Sequence, residues 1–148
     1  MTQLSGKVAL VTGASSGLGA AVAQVFAERG ASVYGIARDT ERMGTVFESV
    51  PGGEFASVDI ASAQACRDAV AGCVERFGRL DLLFNNAGTG APPVPIEDHD
   101  LEGSLAVEPV MDVQAVADAV LLMARLPLDA NVQFMTIAAT KMPFIGRG

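Results

Sequence analysis

Residues 7–19 read KVALVTGASSGLG, and they carry three different kinds of local structure in thirteen positions. Lys7 to Thr12 is a short apolar run that stops at Gly13. Leu18, Val22, Val25 and Phe26 then recur at helical spacing as far as Arg29-Gly30, so the stretch reads as strand, glycine turn, helix. Each glycine has its own physical task. Gly13 permits a tight turn, Gly17 leaves room for backbone to approach an anion, and Gly19 lets the helix pack closely on the strand.

Ser15 and Ser16 add hydroxyl donors beside the unpaired N–H groups and positive dipole end of that helix. The turn Thr12 to Gly19 is thus an anion site suited to the phosphates of a dinucleotide, the alternative being a glycine turn that serves packing alone.

Further along, Ser32 to Ala37 (SVYGIA) reads as a second strand, and Asp39-Thr40 caps a short helix through Glu48. Pro51-Gly52-Gly53 forces a turn before a third strand from Glu54 to Asp59. Ser62 caps a helix that runs to Phe77 and is closed by Gly78, and Leu80 to Asn85 (LDLLFN) suits a parallel strand buried on both faces. From Asn86 to Met111 the pattern fails: four prolines and an acidic cluster offer no convincing element, and so long a connection is unusual inside a compact domain. Order returns with a helix capped by Asp112, carrying Val116, Val120, Leu121 and Met123 and stopped at Pro127. Asn131 to Ile137 (NVQFMTI) reads as a last strand. There is no internal repeat and no low-complexity segment.

Strands alternating with helices imply right-handed crossovers and an α/β fold. The expectation is a doubly wound, Rossmann-type parallel sheet of order 3-2-1-4, truncated, with one C-terminal strand returning beside the fourth. The 148 residues suit a single domain, 1–148, and half of them are hydrophobic. A net charge of -7 argues against nucleic acid and acidic membranes as partners. Cys66 and Cys73 lie in one expected helix with Cα atoms roughly 10 Å apart by helical rise, beyond disulfide reach, and are expected to be reduced. The N-terminus has no signal-peptide pattern and no run reaches membrane-spanning length, so a cytoplasmic protein is expected.

The Gly-x-x-x-Gly-x-Gly spacing of Gly13, Gly17 and Gly19, together with Asn85-Asn86-Ala87-Gly88 at the end of the fourth strand, resembles the classical short-chain dehydrogenase/reductase family. The resemblance implies that Gly13, Ser15, Ser16, Gly17, Leu18 and Gly19 hold the cofactor's phosphates. It places Asn86, Ala87 and Gly88 beside its ribose, where they also read as a plain strand-ending turn. It assigns the adenine ring to Asp59 and Ile60, although an acidic helix-entry residue is the alternative for Asp59. Where a carboxylate would bind the free ribose 2′-hydroxyl of NAD, Ala37 stands instead. Arg38 follows, and its guanidinium suits a 2′-phosphate, so NADP is favoured over NAD.

The family's Tyr-x-x-x-Lys pair and upstream serine have no match here. Tyr34, the only tyrosine, lies in the second strand, and the only lysines are Lys7 and Lys141. His99, between Asp98 and Asp100, reads as part of a solvated acidic loop, Lys141 and Arg147 receive no role, and no metal site is assigned. The family pattern covers residues 1–100 and resumes over 104–148, where ATKMPFIGRG resembles a family C-terminus. Relatives resemble domains of about 250 residues, which implies roughly 100 missing around the junction at 100–104, with the catalytic set among them. The expectation is therefore an NADP(H)-binding protein of oxidoreductase ancestry without catalysis. One alternative is a non-catalytic module that senses dinucleotide or joins full-length subunits through the C-terminal helix and strand. The other is a fragment that folds poorly because apolar faces are bared.

Overall fold

The computed structural model describes residues 3–88 and 111–127, together with Met135 and Ile137. Four strands, β1 (Val8–Thr12), β2 (Ser32–Ala37), β3 (Glu54–Ser57) and β4 (Leu82–Phe84), form one parallel sheet in the order β3-β2-β1-β4. Val11 on the central strand faces Gly35 on one side and Phe84 on the other.

The helices follow from their caps. α1 (Gly17–Glu28) ends where Gly30 N–H donates to Ala27 O at 2.9 Å and Ala31 N–H to Phe26 O at 3.0 Å, the bond pair of a Schellman close. α2 (Thr40–Phe47) starts on Asp39, whose carboxylate accepts from Arg42 N–H at 3.0 Å. α3 (Ala63–Phe77) starts on the Ser62 hydroxyl, which accepts from Ala65 N–H at 3.2 Å, and closes at Gly78. α4 (Val113–Ala124) starts on Asp112, which accepts from Gln114 N–H at 2.9 Å.

Alternation along the strands divides the core in two. Ala9, Val11 and Val33 point into one cluster with Val22 and Phe26 of α1, Met43 and Phe47 of α2, and Ala117, Val120 and Leu121 of α4. Val8, Leu10 and Ile36 point the other way, onto Ala69 and Cys73 of α3. The crossovers through α1 and α2 therefore cover one face and the crossover through α3 the other, so the chain changes direction between β1 and β4. Among the described residues no helix is long and apolar enough to cross a membrane.

Two expectations need correcting. β3 stops at Ser57 rather than Asp59, because the Asp59 side chain accepts from Ala61 N–H at 3.0 Å and turns the chain. β4 covers only Leu82–Phe84 and is not buried on both faces: Leu82 and Phe84 pack toward the α1 side, whereas Leu83 is 53% exposed because no described element covers it. The C-terminal helix lies against α1, with its buried stripe spent there. The expected strand at 131–137 lies outside the described residues, apart from Met135 and Ile137, which are exposed and in no element. The two cysteines are free, Cys73 buried and Cys66 half-buried.

Candidate functional site

A parallel sheet whose strand order reverses leaves a crevice beyond the carboxyl ends of its strands at the reversal point. Here the segments following β1, β2, β3 and β4 all line one open cleft of about 1110 Å³.

The first wall is the turn from Gly13 to Leu18. Gly13 has φ +68 and donates its N–H to Ile36 O at 2.8 Å, and a Cβ there would stand 3.0 Å from Ala87 Cα. Gly19 is buried behind the turn, where a Cβ would fall 2.1 Å from Gly13 O, so the turn folds down onto the first helical turn only because both positions lack side chains. Ser16 occupies the N-cap position of α1 without making a side-chain cap bond, and no acidic residue stands in the first turn. The N–H groups that every helix start leaves without internal partners are thus left to the cleft, with the positive dipole end behind them.

Thr12 ties this wall to the one opposite. Only 7% exposed, its hydroxyl accepts from Asn86 N–H and from Ala87 N–H, each at 2.9 Å, while Asn86 Nδ2 reaches Gly13 O at 3.5 Å. The Asn-Ala-Gly segment is thereby held against the glycine turn although β4 itself is three residues long. Between the two walls, Val58 and Ile60 offer apolar surface with the exposed Asp59 between them. On the β2 side stand Ala37, Arg38, Asp39 and Arg42.

Eleven of the twelve residues singled out from the sequence line this cleft, and the twelfth, Gly19, supports its floor from behind. Sequence reasoning missed Thr12 as the fastener and Arg42 as a second cation on the lining. Arg42 has a legible signal, one helical turn beyond Arg38. Thr12 has none, since its partners are 74 and 75 positions away.

Tyr34 is nowhere near this lining. It packs edge-on to Phe77, ring centroids 6.4 Å apart, on the α3 side of the sheet, where burial and then the nearby Cys73, Glu54 and Glu75 hold its hydroxyl above the ordinary tyrosine range. It is therefore no proton-transfer group for this cleft. His99, Lys141 and Arg147 lie outside the described residues.

The family model for short chain dehydrogenases matches residues 7–132. The chain belongs to the short-chain dehydrogenase family. Among curated members, the L-fucose dehydrogenase of Bos taurus is 37% identical over 102 residues, covering 69% of this chain and 38% of that protein. Among solved structures, a metagenomic short-chain oxidoreductase in complex with NADP superposes with TM-score 0.60 at 33% identity, over 82% of this chain and 56% of that one. A short-chain dehydrogenase/reductase from Burkholderia phymatum in complex with NAD gives TM-score 0.58 at 30% identity, over 62% of this chain and 34% of that one. This family member spans from 35 to 51% of the length of four of its curated relatives.

Proposed function

We propose that this chain binds NADP(H) in the cleft and does not itself transfer hydride. The observation that carries the reading is the convergence of the uncapped α1 start, the Thr12-fastened Asn86–Gly88 segment and Arg38 on one cleft. The pyrophosphate would sit over the N–H groups of Gly17 and Leu18 and the Ser15 and Ser16 hydroxyls. Gly17, with no neighbour within 4 Å of its missing Cβ, leaves open space for that approach. Val58 and Ile60 would flank the adenine, with Asp59 accepting from its amine. Asn86, Ala87 and Gly88 would border the ribose.

Arg38 decides between the two nucleotides in this reading. It is exposed, lines the cleft, and forms no ion pair among the described residues, so its guanidinium is available to a 2′-phosphate. Solved relatives hold either nucleotide, NADP in one case and NAD in another, and Ala37 offers no carboxylate for a free 2′-hydroxyl.

A bound nicotinamide supplies hydride chemistry, but a proton must also move at the substrate oxygen. Losing one positioned proton-transfer group costs about 10² to 10⁴ in rate. These 148 residues contain no Tyr-x-x-x-Lys pair, and the one tyrosine sits under α3. We therefore read the chain as a short-chain dehydrogenase lacking the middle of the domain, with the junction at 100–104. A role in joining subunits through the C-terminal helix is the second reading: α4 spends Ala117, Val120 and Leu121 on α1 but leaves Val113 and Leu122 exposed.

Calorimetric titration with NADPH and NADH, repeated on Arg38→Ala, tests the reading. The expected result is NADPH binding that Arg38→Ala weakens by about tenfold, the loss of a charge-assisted phosphate contact, with no oxidation of NADPH in the presence of carbonyl compounds. A folded sample that binds neither nucleotide overturns it.

A further inference from the structure

Two guanidiniums line the β2 side of the cleft, and they are in different states. Arg38 is in no ion pair among the described residues, while Arg42 Nε lies 3.3 Å from Asp39 Oδ2. The other carboxylate oxygen of Asp39, Oδ1, accepts from Arg42 N–H at 3.0 Å as the cap of α2. Asp39 thus fixes the start of α2 with one oxygen and draws the Arg42 head aside with the other. Its side chain is 47% exposed and that of Arg42 70%, so the pair is an open, solvated one that holds the arginine weakly.

We infer that Arg42 is a second 2′-phosphate ligand held in reserve by Asp39, and that the Asp39–Arg42 pair sets how strongly the chain prefers a 2′-phosphorylated nucleotide. This rests on the dinucleotide reading above. A phosphate dianion beside Arg38 makes charge-assisted bonds stronger than an exposed ion pair, so the Arg42 head moves from Asp39 Oδ2 to the phosphate while its backbone N–H keeps Oδ1. The uncompensated Asp39 carboxylate then faces the dianion, and this repulsion opposes the gain. The two effects give a moderate preference for NADP over NAD, set by the balance of two residues.

The balance is read by measuring NADPH and NADH affinities on four proteins. Arg42→Gln is expected to weaken NADPH roughly five- to tenfold while leaving NADH within a factor of two, and Arg42→Lys to fall between it and wild type. Asp39→Asn, which keeps a side-chain oxygen to cap α2, is expected to tighten NADPH severalfold with NADH unchanged. Wild-type binding of NADPH that depends on Arg38 but is unmoved by Arg42→Gln overturns this inference alone. Equal weakening of both nucleotides by Arg42→Gln overturns it as well, since the residue would then act away from the 2′ position. Failure of the wild-type chain to bind either nucleotide overturns the dinucleotide reading on which it rests.

Discussion

Replacing Thr12 by Val isolates the fastener between the glycine turn and the Asn-Ala-Gly segment. The substitution keeps the branched shape of a residue at the end of the central strand and removes one oxygen. That oxygen accepts two N–H groups at 2.9 Å, each bond worth about 0.5–1.5 kcal/mol net, so the gross loss is about 1–3 kcal/mol. The added methyl recovers up to ~0.8 kcal/mol because the site is nearly closed to water. Asn86 and Ala87 are only half-buried and recruit some water in compensation, which keeps the net cost near 1–2 kcal/mol. For a domain of this size the melting temperature should fall by roughly 3–8 °C. Denaturant unfolding gives the free energy, and amide exchange gives the location: the N–H groups of Asn86 and Ala87 should lose protection while those of β2 keep theirs. Thr12→Ser should retain most of both. A Val variant within 0.5 kcal/mol of wild type, with exchange at 86 and 87 unchanged, refutes the claim that this hydroxyl holds the two walls together.

Gly19→Ala should cost more than 3 kcal/mol or prevent folding, although alanine favours helix, because its Cβ would stand 2.1 Å from Gly13 O; thermal melts against Gly44→Ala, where nothing lies within 4 Å, make the comparison. Asp81 accepts from Val8 N–H at 2.9 Å and pairs with Arg79 and Lys7, and Arg79 first, then that N–H, hold its carboxyl below the usual aspartate range. A depressed native value means the stabilisation is complete above the unfolded value, near 3.9, and is lost as pH falls through the native one. Asp81→Asn should therefore cost about 1 kcal/mol at pH 7 in urea titrations, with the difference from wild type closing below pH 4. Leu121→Ala should cost about 2–4 kcal/mol by opening the α1–α4 contact, read as a shift in denaturation midpoint. Burial raises the Cys73 thiol above its ordinary range, so an aromatic disulfide reagent should label Cys66 in the native protein and reach Cys73 only on unfolding.

What was legible in the chain was what local chemistry dictates. Ser62 and Gly78 bracket α3 as cap and stop and Asp39 caps α2, because each of these is decided by residues within four positions. Strand ends depend on partners elsewhere. LDLLFN shrinks to a three-residue ladder with Ala9, Leu10 and Val11, beyond which Asn86 and Ala87 bond the Thr12 side chain instead of its backbone, and its run of leucines does not reveal that one face goes uncovered. The cleft was legible for a related reason: its residues fall directly after strand ends, where a turn motif names them. Thr12 was not, because a threonine closing a strand looks the same whether or not a segment 74 residues later donates to it.

The docking of α4 on α1 also has a temporal side. A ribosome releasing about 5–20 residues per second delivers Val113 roughly 1.5–6 s after Phe84 completes the last described strand. For that interval Val22, Ala23 and Phe26 have the sheet beneath them but not the helix that will flank them. The nascent chain thus presents an incomplete apolar flank beside its nucleotide turn, a window in which a chaperone, or the nucleotide itself by ordering the turn, has the most influence on whether the domain closes correctly.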